Sequence, residues 1–397
     1  MTEGEHTGRA LRRRLARTLL ADVEGLTRRV VADICEHSPA YASGSPVPVT
    51  DLHTVCRHNV LLSLQAFGGI PASAGDIEAA ATETGRRRAE QGMPLDTVLL
   101  AYRRGGRVLW QAMTDLLRGA AAAEQDAGLE VAGALWEIVD RFSTVMADAY
   151  RLTQLEVQRR QDSRRGALFA ALLEGRGRDP VVMSAAAEAL GLPTRDRYAL
   201  VVVDIGENPA APPNPGPALL DAGMWSFWRP WAQRYAGLVR LGAADPRELA
   251  DVLRRTRVGA AGVSPVFEEP AAADTGLRLA ERALRTLPPD GRGVACLDER
   301  LAEACLAADP EIADLMVARY LSGVLACGPE GSALVRTLRV WLEEGCSVAR
   351  TAERVYCHRN TVLNRLSRVA ELTGWPVESG EARLGWALAL RATEVPR

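Results

Sequence analysis

Hydrophobic residues recur every three or four positions along most of the first 160 residues, a spacing that predicts amphipathic helices. One such helix follows Pro94, where a residue without an N–H group and the nearby carboxylate of Asp96 both suit a first helical turn. Its apolar face comprises Val98, Tyr102, Leu109, Ala112 and Leu116. We therefore expect residues 1–160 to form a helical domain.

A heptad-like spacing of apolar residues follows at Leu135, Ile138, Phe142, Val145, Ala149 and Leu152. This spacing suits a short coiled-coil seam between subunits, and it also suits the inner face of an ordinary bundle helix. The short length favours the bundle helix. The polar segment QRRQDSRR then begins at Gln158 and predicts an exposed helical connector at a domain boundary.

The pattern changes in residues 161–300, where helices alternate with short apolar runs. The run RYALVVVDI is rich in β-branched residues and is typical of a buried strand. Further strands are predicted in MWSFW, YAGLVRL, VGAAGVSPVF and GVACL, with helices over 246–255 and 272–287. This order predicts a small α+β sandwich of the split βαβ type.

Residues 301–397 are again predicted to be helical and include two short helices joined by a tight turn. Ser347 can cap the first of these helices, and the small residue Ala352 allows the second to approach it closely. This is the pattern of a helix-turn-helix, although Tyr356 stands in the turn where glycine is usual. The predicted fold class is thus mostly α, with one α+β domain between two helical regions.

The second short helix carries many hydrogen-bonding side chains on its exposed side. Its first turn would enter the major groove, where arginine can pair with guanine and asparagine with adenine. We expect Arg359, Asn360 and Arg365 to face base edges, and Arg350 and Arg368 to face phosphates. The full predicted DNA-binding set is Ser347, Arg350, His358, Arg359, Asn360, Thr361, Asn364, Arg365 and Arg368.

Because the whole chain is nearly neutral, any surface that binds nucleic acid must be a local basic patch. The formal net charge of the whole chain is −2, and all 48 cationic residues are arginine. Between Arg350 and Arg368, however, five arginines stand against the single glutamate Glu353. This predicts a basic patch within an otherwise balanced chain.

The seven cysteines are scattered and include no C-x-x-C pair, which favours a reducing cytoplasm over a disulfide framework. The first 20 residues lack the apolar run of a signal peptide. A run of about 20 uncharged apolar residues is also missing, so we expect no membrane span.

The segment TLRVWLEEGCSVARTAERVYCHRNTVLNRLSRVAELTG resembles the C-terminal helix-turn-helix of bacterial transcription regulators of the PucR/CdaR type. Those regulators share the core A-x-x-L-x-V-H-x-N-T-V-x-x-R-L. The matching positions here are Ala352, His358, Asn360, Thr361, Val362, Arg365 and Leu366. Val355 and Cys357 replace the usual aliphatic residues of this core. The resemblance implies binding to double-stranded DNA and extends through the last helix.

The regions upstream resemble the domains that precede this motif in such regulators. RYALVVVDI and VGAAGVSP are similar to strands of a degenerate GGDEF-like domain, and RRRAEQGMPLDTVLLAYRRGGRVLW is similar to the RsbR-type helical sensor domain. The resemblance implies three domains, at 1–160, 161–300 and 301–397, with gating by a signal or a small-molecule effector. We also expect a homodimer or higher even oligomer that reads an inverted repeat.

Other chemistry is disfavoured by the sequence. Asp204 and Glu207 lie near a strand end without the glycine-rich turn of a diguanylate cyclase, so we expect neither catalysis nor a cofactor. The possible metal ligands Cys35, His37, His53, Cys56 and His58 fit no known ligand spacing. The tryptophans Trp225, Trp228 and Trp231 can form a ligand box, but core packing is the commoner role.

Two functions therefore remain open. The first is a sequence-specific transcription regulator gated by its upstream domains, which the basic C-terminal helix and its HRNT tip favour. The second is a stress-signalling adaptor that acts through protein contacts, in which the terminal motif is only a structural hairpin.

Overall fold

The computed structural model describes residues 3–71, 74–118, 128–205, 214–288 and 292–396. The chain separates into two compact units, Met1–Ser163 and Arg164–Arg397, which are considered one at a time. The expected division into three domains stays a prediction. Within the described residues, no helix is both long enough and apolar enough to cross a membrane.

The first unit is a helical bundle. Its helices are α1 (Glu3–Ala21), α2 (Val23–His37), α3 (Pro39–Ala42), α4 (Val49–Phe67), α5 (Ala74–Glu90), α6 (Leu95–Arg118) and α7, which runs over Gly128–Leu173 and so continues past the unit boundary. Side chains such as Leu64, Met113 and Met146 are completely buried and form one shared core. The Asp22 carboxylate accepts a hydrogen bond from the Gly25 N–H group and so caps the start of α2.

The heptad-like residues of α7 belong mainly to this core. Leu135 and Phe142 are buried in it, and Ile138 and Val145 pack against it, whereas Leu152 is 64% exposed. Most of the heptad-like residues therefore form the inner face of a bundle helix, as the shorter-length argument favoured. The segment after Gln158 is helical and exposed, as predicted.

The second unit begins with a five-stranded sheet. Its elements are α8 (Pro180–Leu190), β1 (Tyr198–Asp204), α9 (Gly216–Asp221), β2 (Trp225–Trp231), β3 (Arg234–Arg240), α10 (Pro246–Arg255), β4 (Ala260–Val263), α11 (Ala273–Leu284) and β5 (Gly293–Cys296). The strand order is β2-β3-β1-β4-β5. Because β3 pairs antiparallel with both β1 and β2, those two strands run parallel on either side of it. The predicted split βαβ arrangement is confirmed, and β5 extends it by pairing parallel with β4.

Both faces of this sheet are covered. On β1, Leu200 and Val202 pack in the core that includes α11, while Val201 and Val203 pack in the core that includes α10. This double burial explains why the sequence of β1 is continuously apolar rather than alternating. The three tryptophans of β2 are divided between the two faces: Trp228 stacks on Tyr235 in the α10-side core, and Trp225 and Trp231 pack on the other side. They do not form a single aromatic box.

The chain ends in a helical region. Its helices are α12 (Leu301–Ala308), α13 (Pro310–Tyr320), α14 (Ser322–Leu325), α15 (Gly328–Glu343), α16 (Val348–Arg354), α17 (Arg359–Thr373) and α18 (Gly380–Ala392). The core that joins α15 to α18 contains Leu338, Val362 and Trp386, all completely buried. Gly385 allows close packing here, because a Cβ atom built on it would lie 2.2 Å from the Tyr320 ring.

Candidate nucleic-acid interface

The first helix of the motif, α16, is fixed at its start by Ser347. The Ser347 hydroxyl accepts a hydrogen bond from the Arg350 N–H group at 3.5 Å, and the Ser347 carbonyl accepts one from the Thr351 hydroxyl at 2.7 Å. Ala352 is buried in the core that α16 shares with α17. Ser347, predicted as a DNA contact, therefore also acts as the cap that positions this helix.

The turn between the two helices is unusual in its backbone. Tyr356 has φ +53°, a left-handed conformation that glycine normally provides, and its side chain is 95% exposed. The Cys357 N–H group donates a hydrogen bond to the Ala352 carbonyl at 3.0 Å and closes the turn. The turn thus keeps the geometry expected of glycine while placing an aromatic ring in solvent.

The second helix, α17, begins at an N-cap formed by His358. Its Nδ1 atom accepts a hydrogen bond from the Asn360 N–H group at 3.2 Å, so Nε2 carries the proton in the neutral ring. Val362, Leu366 and Val369 are buried on the inner side of α17.

The outer side of α17 presents most of the predicted residues to solvent. His358, Arg359, Asn360 and Asn364 are exposed, and Thr361 is half-buried. Because successive helical residues turn by about 100°, Asn360 and Asn364 lie on one side, roughly opposite the buried residues. The structure therefore brings these polar side chains together at the start and outer side of one helix.

Arg365 occupies a different position from the one predicted. Its side chain is half-buried, and its Nη1 atom donates a hydrogen bond to the Thr337 hydroxyl of α15 at 3.1 Å. One residue beyond Asn364, the helix has turned by about 100° and carries Arg365 to the flank of the core. The expectation that it shares the exposed side of Asn364 is wrong, and in the free protein it holds α17 against α15.

The local charge is also more balanced than the sequence window indicated. Arg350 lies 3.6 Å from Glu344, Arg354 lies 2.7 Å from the same carboxylate, and Arg368 lies 3.0 Å from Glu371. Glu343 and Glu330 complete these pairs. Three of the five arginines between 350 and 368 are thus paired with glutamates outside that window, which reduces the predicted excess of positive charge. Exposed pairs of this kind contribute at most about 1 kcal/mol each, so a phosphate can replace the glutamate.

Two apolar side chains on this surface were not predicted. Tyr356 in the turn is almost fully exposed, and Leu363 on α17 is 44% exposed. A leucine on the polar side of an amphipathic helix is the sequence signal that could have identified Leu363. Apolar groups at such positions can contact the methyl group of thymine.

Two of the histidines singled out in the first unit have hydrogen-bonding or acidic partners, and one of its cysteines is buried. His53 lies 3.2 Å from Glu24, and His37 is hydrogen bonded through Nδ1 to the Asp33 carbonyl at 2.9 Å. Cys56 is buried in the bundle core, and burial raises the pKa of its thiol to about 12. Of the two acidic residues near the end of β1, Asp204 is exposed, and Glu207 lies outside the described residues.

Comparison with known proteins assigns this helical motif. Residues 334–392 match the family model of the PucR C-terminal helix-turn-helix domain. The chain carries a PucR-type helix-turn-helix. The Purine catabolism regulatory protein of Bacillus subtilis (strain 168) is 44% identical over 62 residues, which are 16% of this chain and 12% of that protein. The chain thus spans about an eighth of the length of this curated relative.

The first unit has its own match. Residues 24–165 fit the family model of the RsbT co-antagonist protein rsbRD N-terminal domain, which confirms the RsbR-like resemblance of this helical bundle. The crystal structure of Regulator of Polyketide Synthase Expression from Bifidobacterium adolescentis is 23% identical and covers 57% of this chain and 90% of its own, with a TM-score of 0.30. At that TM-score the likeness adds nothing to the assignment. The GGDEF-like character of the middle region stays a prediction.

Proposed function

We propose that this protein is a sequence-specific DNA-binding transcription regulator. The observation that carries the proposal is the exposed tip of α17, where His358, Arg359 and Asn360 begin the second helix of a PucR-type helix-turn-helix. In motifs of this kind the start of the second helix enters the major groove. We place the protein in the cytoplasm.

The contacts divide by position. Asn360 and Asn364 occupy the outer side of α17 and are proposed to read base edges, with Arg359 beside them at the helix start. Arg350 and Arg368 are proposed to exchange their glutamate partners for phosphates. Arg365 is proposed to orient α17 through Thr337, and it contributes to DNA binding by that route.

The upstream regions are proposed to gate this module. The match of residues 24–165 to an RsbRD-type domain supports a role for the first unit in receiving a signal. The same match favours the second candidate function, an adaptor that works through protein contacts. The two functions differ in one measurable property, because only the regulator requires specific binding to DNA.

The test begins with purified full-length protein and sheared genomic DNA, from which bound fragments are recovered and sequenced. Affinity for the enriched site and for a scrambled site is then measured over a range of salt concentrations for Asn360→Ala, Asn364→Ala and Arg368→Ala. Asn214→Ala, which changes an exposed asparagine in the middle region, is the matched control.

Each asparagine variant should lose about 1–3 kcal/mol on the enriched site and much less on the scrambled one. Arg368→Ala should weaken both complexes and lower the salt slope by about one unit. Equal losses on both DNAs for Asn360→Ala would mean that α17 is not the recognition helix. Recovery of no enriched fragment would favour the adaptor function.

A further inference from the structure

A cavity lies inside the helical bundle of the first unit and is lined by α2, α3, α4, α5, α6 and α7. Its volume is about 70 Å³, and its walls are mostly apolar, with Val30, Ile34, Leu52, Val98, Leu109 and Phe142 among them. A small cavity with only apolar walls would indicate no ligand in a helical core. This cavity differs because polar side chains also line its wall.

Arg88 lines this cavity and is 1% exposed. Its Nη1 atom donates to the Asp51 carboxylate at 2.5 Å and to the Gln91 side-chain oxygen at 2.7 Å. Its Nη2 atom is buried and has no hydrogen-bond partner among the residues that the structure describes. The Tyr41 side chain also interacts with this guanidinium, so a guest that accepts from Nη2 would lie beside the Tyr41 hydroxyl.

Asn59 provides the complementary group. Its Nδ2 atom donates to the Tyr102 hydroxyl at 3.3 Å, but its Oδ1 atom is buried and lacks a partner in the same described part of the chain. Leaving a buried donor or acceptor unpaired is unfavourable, and folded proteins rarely do so. A donor on Arg88 and an acceptor on Asn59 at the wall of one cavity point to a guest that satisfies both.

The cavity has an adjoining groove. A surface groove of about 470 Å³ between α4 and α5 shares Val55, Asn59 and Thr84 with the cavity wall, and His58 and Leu62 also line it. Asn59 thus stands where the two spaces meet. We take this groove as the route by which a small molecule reaches Arg88.

Charge and polarity limit the kind of molecule. Arg87 and Arg88 share the single carboxylate of Asp51, so this cluster carries one net positive charge. Tyr41 and Cys56 also line the cavity, and burial raises the pKa of each to about 12, so both stay neutral at physiological pH. One negative charge, one donor and an apolar body would match the site.

We propose that this cavity and its groove bind a small aliphatic hydroxy carboxylic acid, whose carboxylate accepts from Arg88 Nη2 and whose hydroxyl donates to Asn59 Oδ1. The molecule would be the effector of the regulator, so this role rests on the proposed function. The binding site itself does not depend on DNA.

The test uses full-length protein without DNA and measures binding by titration calorimetry and by the shift in Tm. The probe is 2-hydroxyisocaproate, with its methyl ester and with 4-methylpentanoate, which lacks the hydroxyl, as comparison compounds. We expect one molecule of probe per chain. Loss of the charge should weaken binding about tenfold or more, and loss of the hydroxyl about 2–10-fold.

Two substitutions locate the site. Asn59→Leu keeps the approximate size of the side chain and should abolish the preference for the hydroxyl, so that 2-hydroxyisocaproate and 4-methylpentanoate bind equally. Ala101→Leu places a larger side chain at the cavity wall and should weaken all three compounds. Thr18→Val, a change on the exposed side of α1, is the control and should bind as the unaltered protein does. Each variant is first shown to unfold cooperatively without ligand.

The outcomes separate the two proposals. If none of the three compounds binds at millimolar concentration, or if Asn59→Leu keeps the hydroxyl preference, the cavity proposal is overturned, and water satisfies Arg88 and Asn59 instead. That result leaves DNA binding untouched. If the probe binds as expected but does not change the affinity for the enriched DNA fragment, the cavity is confirmed as a binding site, and its proposed role as an effector site is wrong.

Discussion

Asp51 is the carboxylate that balances the charge buried in the first unit. It pairs with Arg88, which is buried, and with Arg87, which is partly exposed. Burial opposes ionisation of Asp51, but the hydrogen bond and charge of Arg88, together with the charge of Arg87, outweigh it, so its pKa lies below the usual value. The pairing therefore stabilises the fold above the pKa of the unfolded chain and is lost as pH falls through the folded pKa.

We predict that Asp51→Asn destabilises the first unit by about 3–5 kcal/mol, because it leaves Arg88 charged and poorly paired in the core. The difference from the unaltered protein should shrink in acid, where the carboxylate of the unaltered protein is itself protonated. Urea unfolding at neutral and acidic pH measures both effects. Glu78→Gln removes only the exposed pair with Arg141 and should cost less than about 1 kcal/mol. Equal losses for the two variants would contradict this role for Asp51.

The positions of some side chains could be predicted from the sequence, and those of others could not. The exposed tip His358, Arg359 and Asn360 follows from local helix geometry and could be predicted. The anchoring of Arg365 could not, because its partner Thr337 is 28 residues away along the chain. The glutamates that pair with Arg350 and Arg368 likewise lie outside the segment 350–368, so a charge count over that segment overestimated the local positive charge.

The turn between α16 and α17 combines strain with exposure at Tyr356. A left-handed conformation costs a residue other than glycine about 1–2 kcal/mol. We predict that Tyr356→Gly raises the free energy of unfolding by up to about 1 kcal/mol, since glycine also loses more backbone entropy on folding. Tyr356→Ala keeps the strain and removes the ring, so it should not be stabilising. Chemical unfolding of the three proteins checks this, and a loss of stability in Tyr356→Gly would show that the ring supports the turn.

The packing of α17 on α15 depends in part on the bond between Arg365 and Thr337. We predict that Arg365→Ala lowers the stability of the C-terminal helical region by about 1 kcal/mol, because it removes packing and one hydrogen bond to the buried Thr337 hydroxyl, which still donates to the Ala333 carbonyl. Asn364→Ala, one residue earlier and exposed, should change stability by less than about 0.5 kcal/mol. Hydrogen exchange of the backbone amides in α17 and α15 measures the local stability of these two helices. If the two variants are equally stable, Arg365 is not the anchor inferred from its bond.

Whole elements were easier to predict than their partners. The helix Pro246–Arg255 has the bounds expected from the sequence, and continuous apolar character identified β1 as a buried strand. The repeat from Leu135 to Leu152 was ambiguous, because a coiled-coil seam and the inner face of a bundle helix share nearly the same period. Burial of Leu135 and Phe142 inside their own unit removes most of that repeat as a surface for a second chain.

The two compact units have separate cores. Buried hydrophobic residues of the bundle lie between positions 11 and 150, and those of the following unit between 169 and 395. We therefore predict that a protein lacking residues 1–160 still unfolds cooperatively and binds the enriched DNA site, but no longer responds to signal in cells. Circular dichroism measures the unfolding, a binding titration measures the DNA affinity, and a reporter assay measures the response in cells. Normal regulation by the truncated protein would show that the first unit is not the sensor.

A dimer remains the expected assembly, although the repeat in α7 no longer supplies its main support. A single helix-turn-helix makes few base contacts, and two linked modules gain affinity because binding of the first raises the effective concentration of the second. A two-fold dimer should read an inverted repeat with half-sites in a fixed helical phase. We predict that light scattering gives twice the chain mass at micromolar concentration. Inserting about 5 base pairs between the half-sites should weaken binding strongly, and inserting about 10 should weaken it less, because a full turn restores the phase. A monomer in solution that binds all three spacings equally would contradict both expectations.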